Sequence, residues 1–404
     1  MILLRFLLLI AVIAVCRSVA GQWTNTANLQ NSFINSVLAE DDTVYAATGG
    51  NGFFYSPDNG LKWNQSNSGL GQNLSTTSLA RSGGYLFVST ISERVFRAVP
   101  PGNNWSNTGS GISQTSVVEL LSDSGVVYAG CSLAGVFKTT NNGLNWSRFA
   151  LGEGDVLYSL HKNESGFFLG LAGGGFRSTN NGVNWSPFGN GLLNCNMHSI
   201  ESKPGLLFTG SDLGFFYSTD TGSSWQQSNS GLPHQWINDL IVVNEVLVSA
   251  LRNSGIFYSL NNGLQWLSFN GGVTDTNITC LTFSDEFIYA GSIGGNIFRT
   301  SVSSLPVGVE NLQEQLPQSF TLQQNYPNPF NPTTLIRFTL NKNSFVALEI
   351  YDVHGRRISE PLKNDQPAGS YEIPFSGSNL AGGVYFCRLT VGGLSESIKL
   401  VLLK

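Results

Sequence analysis

The sequence predicts an all-β protein, a seven-bladed β-propeller followed by a small Ig-like β-sandwich. Three observations predict it. Gly is abundant, at 46 of 404 residues, while Asp, Glu, Lys and Arg together make only 12% of the chain, about half the share usual in soluble domains. Helix-forming residues are therefore too sparse to cover helical surfaces, and the apolar content of 41% is too high for a disordered chain. Second, tryptophans recur at Trp23, Trp63, Trp105, Trp146, Trp185, Trp225 and Trp266, spaced 40, 42, 41, 39, 40 and 41 residues apart. Third, the composition shifts after Ser301: 8 of the 14 prolines lie beyond residue 305 and no Trp follows Trp266.

Each repeat carries two phrases. One reads YAATGGNGFFYS from Tyr45, and its relatives start at Phe87, Tyr128, Phe168, Phe208, Val248 and Tyr289, making seven copies. The other is an Asx-Gly turn ending in Trp, as in Ser56-Pro57-Asp58-Asn59-Gly60-Leu61-Lys62-Trp63. The spacing predicts, per unit, an alternating strand such as Ile34 to Leu38, a turn, a strand, a Gly turn, a third strand, the Asx-Gly turn and a Trp strand. Four short strands every ~40 residues form one blade. The seventh unit ends at Ser301 without a Trp strand. Trp23, alone before the first unit, is expected to supply it and close the ring.

The turn phrase resembles the Asp-box, or BNR, repeat of sialidases, sortilin-like receptors, xyloglucanases and the photosystem II assembly factor family. Its residues are Asp58, Gly60 and Trp63; Asn141, Gly143 and Trp146; Asn180, Gly182 and Trp185; Asp220, Gly222 and Trp225; and Asn261, Gly263 and Trp266. Asp and Asn both accept backbone hydrogen bonds in an Asx turn, so the exchange is mild and the set is read as structural. The turn before Trp105 is degenerate, with Pro100-Pro101 in place of the polar pair. Sialidase likeness fails on specifics: no Arg-Ile-Pro segment precedes the repeats, and seven units exceed that family's six.

At the N-terminus, Arg5, the apolar run Phe6 to Val15 and Ser18-Val19-Ala20 read as a secretory signal over residues 1–20, with the propeller at 21–302. Removing it leaves 19 basic and 26 acidic residues, a net −7, which offers no basic stripe for nucleic acid. No later stretch reaches the ~18 apolar residues of a membrane span. Cys131, Cys195, Cys280 and Cys387 fall in different β units, so buried single thiols are expected rather than a metal set.

Residues 303–318 read as a linker, and 319–404 as the sandwich. Its strands alternate, with Leu335, Arg337 and Thr339 against Ile336, Phe338 and Leu340. The ordered blocks Asn325-Tyr326-Pro327-Asn328-Pro329-Phe330, Gly355 and Leu400-Val401-Leu402-Leu403-Lys404 resemble the C-terminal sorting domain of type IX secretion substrates of Bacteroidetes and relatives. The resemblance implies export to the secreted or outer-surface location of a Gram-negative cell, with the secretion machinery as partner of 319–404.

A propeller collects its ligand groups on the face that carries the blade-to-blade loops. There the sequence offers Glu93, Arg94, Glu153, Asp155, His198, Asp212, His234, Trp236, Arg252 and Asp275. A glycoside hydrolase would need two flanking carboxylates, for which Glu153, Asp155 and Asp212 are the candidates; solvated loop acids are the alternative. Trp236, out of register with the other tryptophans, is expected with His234 and Arg252 to form a shallow glycan or peptide site. No cofactor motif, phosphate loop or metal spacing occurs; Asp41-Asp42 and Asp285-Glu286 sit in equivalent turns and are read as solvated. The expected function is binding of an extracellular polymer, glycan or protein. A hydrolase and a ligand-free scaffold remain as alternatives.

Overall fold

A computed structural model describes residues 22–403 apart from 30, 31, 73, 93, 114, 115, 152, 153, 193, 307–319, 392 and 393. The expected signal segment, most of the linker, Glu93 and Glu153 therefore lie outside the described residues. Among those described, the only helical segment is the 3-10 turn Val302–Ser304, and no helix is long and apolar enough to cross a membrane.

Seven four-stranded antiparallel sheets form the ring. Their innermost strands are Ile34–Glu40, Thr76–Ser82, Val117–Asp123, Leu157–Asn163, Met197–Lys203, Ile237–Val243 and Ile278–Phe283. Six sheets use four consecutive strands. The seventh runs Ile278–Phe283, Phe287–Ser292, Asn296–Ser301 and then Thr24–Asn28, with Thr24 opposite Arg299 and Asn28 opposite Asn296. The first repeat's leading strand thus completes the last blade. Innermost strands touch their neighbours all the way round, including the first against the seventh.

The apolar residues sort as the repeat requires. The first and fourth positions of every innermost strand are buried or nearly so, for example Ile34 and Val37, Ile237 and Leu240. Tryptophans fill the wedges between blades: Trp105 meets Phe53 of the preceding blade edge to face at 4.8 Å, and Trp266 meets Phe215 at 5.1 Å. Closure uses the same device, since Trp23 packs on Phe269 at 5.5 Å and donates to its carbonyl at 2.7 Å. Trp63 and Trp185 are only half-buried.

Five Asx turns share one hydrogen-bond pattern. In the first, Ser56 Oγ donates to Asp58 Oδ1 at 2.7 Å and accepts from Gly60 N at 2.8 Å, while Asp58 Oδ1 also accepts from Lys62 N at 2.8 Å. Asn141, Asn180, Asp220 and Asn261 repeat it. The glycine is needed: Gly263 has φ +87°, and a Cβ there would sit 2.0 Å from Phe215.

After the linker, two sheets face each other. One holds Phe320–Leu322, Thr333–Leu340 and Gly369–Ser376; the other orders Arg357–Gln366, Ser344–Tyr351, Gly383–Val391 and Leu394–Leu402. Alternate residues Ile336, Phe338 and Leu340 meet Val346, Leu348, Ile350, Cys387 and Leu389 in one core. Cys131, Cys195, Cys280 and Cys387 are buried and free.

Candidate functional site at the mouth of the ring

One local feature builds the mouth. Each innermost strand slips register just after its first residue, in all seven blades. A bulge releases its extra residue from the ladder and re-aims the side chain. In four blades the released side chain bonds to the next blade. Asn35 donates to Thr76 O at 2.7 Å, Thr77 to Val117 O at 2.6 Å, Asn238 to Ile278 O at 2.6 Å and Thr279 to Ile34 O at 2.5 Å. In the fourth and fifth blades the released residues are Tyr158 and His198, whose rings meet each other instead.

Tyr158 meets His198 edge to face at 5.2 Å, and His198 stacks on Trp236 at 5.3 Å with 18° between the planes. The Arg252 guanidinium lies over the Trp236 ring at 4.6 Å. Trp236 comes from the loop before the sixth innermost strand, and Arg252 follows the second strand of that blade. The Arg252 amide donates to Trp236 O at 3.0 Å, which ties the two loops together. His234 is exposed; its Nδ1 accepts from Trp236 N at 3.1 Å and so fixes the approach of the indole. Four side chains from three blades thus run across the mouth.

Asp212 binds Asn196, accepting from its backbone N at 2.9 Å and its Nδ2 at 2.8 Å. Burial pulls His198 below the ordinary imidazole value, with Asp212 opposing it. The buried Nε2 of His198 has no hydrogen-bond partner among the described residues. Asp155 is half-buried and its carbonyl accepts from Leu133 N at 3.1 Å. Asp275 accepts from Asn277 N and Gly294 N at 3.1 and 2.9 Å and braces its own loops.

Further down the axis stand groups that the sequence reading passed over. The third position of the innermost strand faces the next blade, where the bulge frees an N–H at the fourth position. Ser78 Oγ accepts from Leu120 N at 3.0 Å. Asp239 takes that place in the sixth blade, accepting from Leu281 N at 2.8 Å, and Glu119 does so in the third, toward Leu160. Glu201 lies two positions further along its strand. The three carboxylates repel one another, but their enclosure by protein is the larger effect. It pushes Asp239 up to about 7, Glu201 up to about 8 and Glu119 well above the usual carboxylate range. Burial takes the nearby His161 down to about 4; its Nε2 lies 2.9 Å from Ser202 Oγ. Aligning the seven strands by the bulge would have shown Glu119 and Asp239 where other blades have Ser or Cys.

On the opposite face, Asp41, Asp42, Asp285 and Glu286 line one open groove of about 390 Å³ between the first and seventh blades. Among the described residues no three His, Cys, Asp or Glu side chains converge as metal ligands.

Residues 324–403 belong to the secretion system C-terminal sorting domain family. The chain is therefore a β-propeller carried by a type IX sorting tail, secreted or displayed at the cell surface of a bacterium of the Bacteroidetes type. A comparison with curated proteins finds no match. Among solved structures it is similar to PorZ, a surface component of the type IX secretion system of Porphyromonas gingivalis, with 15% identity, TM-score 0.54, 92% of this chain and 59% of that one covered. This chain thus spans about three fifths of PorZ. YCF48 bound to a D1 peptide is similar at 16% identity and TM-score 0.59, over 69% of this chain and 96% of that one. The GH74 xyloglucanase of Xanthomonas campestris follows at 12% identity and TM-score 0.57, covering 79% and 59%. At these identities the likeness shows the propeller fold.

Proposed function

We propose that the exported ring binds an extracellular polymer, glycan or protein, at the mouth spanned by Tyr158, His198, Trp236 and Arg252. The observation that carries this reading is the stack itself. Four amphipathic groups, two on bulged innermost strands and two on loops of the sixth blade, are pre-assembled, and a hydrogen bond from Arg252 N to Trp236 O ties the two loops. Such preorganisation lowers the entropy lost when a ligand docks, and aromatic faces with polar edges suit partly polar polymers. The ring has precedents in both directions, in the peptide complex of YCF48 and in a xyloglucanase.

The test uses the full chain against immobilised plant, algal and bacterial polysaccharides and secreted proteins, following retention and new reducing ends together. Retention without new ends is expected, with Trp236→Ala weakening it about tenfold or more, about 1.4 kcal/mol. Retention unchanged in Trp236→Ala would overturn the placement of the site. New reducing ends would transfer the role to a hydrolase and direct attention to Glu153, Asp155 and Asp212.

A further inference from the structure

We infer that the mouth reads a carboxylate, and that its ligand is an acidic polysaccharide built from uronate units. This rests on the binding reading above and adds the chemical class. Three observations support it.

First, Arg252 is exposed and makes no ion pair or side-chain hydrogen bond among the described residues. Its contact is the face of Trp236 at 4.6 Å. Stacking uses the plane of a guanidinium and leaves its in-plane N–H groups free, the edge that binds a carboxylate through two parallel hydrogen bonds.

Several other arginines of the ring are spent on structure, Arg94 excepted, whose buried Nε has no hydrogen-bond partner among the described residues. Arg177 donates to Thr221 O at 2.6 Å in the next blade's Asx turn, and Arg299 donates to Asn59 O at 2.5 Å across the closure. Arg81 pairs with Glu40, and Arg148 donates to Ala134 O at 2.7 Å. Arg252 stands apart from them at the mouth, on a chain whose net charge is −5.

Second, His198 offers a buried Nε2 with no partner among the described residues, one ring away from Arg252 along the stack. A buried polar atom left unpaired costs free energy, and a ligand hydroxyl would satisfy it. Third, the stack combines flat rings with polar rims. A pyranose is its complement, with hydroxyls to meet the polar rims and C–H groups to lie along the ring edges left outside the stack. An acidic peptide would instead be held by strand addition or by a cluster of arginines, and the stack carries the single guanidinium of Arg252. A uronate unit therefore satisfies all three at once: its ring along the aromatic edges, its carboxylate on Arg252 and a hydroxyl toward His198.

The experiment measures retention of the full chain on polygalacturonate, its methyl ester, a neutral xyloglucan, dextran sulfate and poly-glutamate at matched charge density and fixed salt. Polygalacturonate is expected to bind at least tenfold more tightly than its ester or the neutral polymer. Arg252→Gln should remove that preference, and Arg252→Lys should restore only part of it, because an ammonium lacks the two-pronged edge. Unchanged thermal unfolding of Arg252→Gln would show that the ring is intact.

Equal retention of the ester and the acid would overturn the inference while leaving polymer binding in place. Equal retention of dextran sulfate or poly-glutamate would overturn it as well, assigning a general anion surface or an acidic peptide. Failure to retain any of these polymers overturns it too. If the wider panel of polysaccharides and proteins is also not retained, the binding reading falls with it.

Discussion

A single Asx turn shows how few atoms hold one repeat. Asp58 Oδ1 takes two donors, Ser56 Oγ and Lys62 N, and a carbonyl oxygen of Asn does the same at positions 141, 180 and 261. Asp58→Asn should therefore change unfolding free energy by less than about 0.5 kcal/mol, whereas Asp58→Ala should cost about 1 kcal/mol. Gly263 is a different case. An added Cβ meets Phe215 at 2.0 Å on a left-handed backbone, so Gly263→Ala is expected to cost on the order of 2–4 kcal/mol in denaturant titration. The glycine and the polar acceptor could be read from the repeat. The Phe215 ring that makes the glycine indispensable comes from the neighbouring blade and could not.

At the scale of elements, the ring is closed by one short strand. Thr24–Asn28 covers the edge of Asn296–Ser301, which would otherwise expose a row of unpaired backbone groups. Trp23 packs on Phe269 and is buried in one core cluster with Ile256, Ile278 and Phe298. Trp23→Ala should cost about 3–5 kcal/mol, more than Trp63→Ala, whose side chain is half-exposed. Urea unfolding followed by circular dichroism would rank the two. Equal losses would mean that closure adds nothing beyond ordinary wedge packing. The closing partner was legible because Trp23 is a repeat landmark without a repeat. The bulge in every innermost strand was not legible, since it is defined by pairing, and it decides that Tyr158 and His198 face each other at the mouth.

Across the whole molecule, the axial carboxylates set a pH dependence. Glu201 and Asp239 are favoured in their neutral forms when folded, at about 8 and about 7. A raised carboxylate carries no penalty below its ordinary value; stability is lost as pH rises from ~4 toward 8. His161, lowered to about 4, acts oppositely, and its contribution is present above ~6.5 and lost as pH falls toward 4. One imidazole offsets only part of what two carboxylates lose between pH ~4.5 and 6.5, so thermal stability should weaken steadily as pH rises from ~4.5 toward 8. Glu201→Gln should raise stability at pH 8.5 by on the order of 1–3 kcal/mol and leave it nearly unchanged at pH 4.5. A variant with the parent's slope between pH 5 and 8 would remove Glu201 from this role. At the same scale, loss of residues 324–403, the sorting domain, should leave the ring inside the cell envelope. Fractionation would detect this as missing surface or medium protein.

The sequence by itself determined the all-β class, seven units, the strand that closes them and the sorting tail. All of these are written as local periodicity and ordered motifs, which a linear chain can carry. Only the tertiary structure decided the mouth. It brought Trp236 and Arg252, from two loops, into a stack reaching His198 and Tyr158, with His234 bonded to the Trp236 backbone. It also gathered Glu119, Glu201 and Asp239 from three blades around one axis. Their meeting depends on the angle and register between blades, which arise from packing residues far apart in the chain.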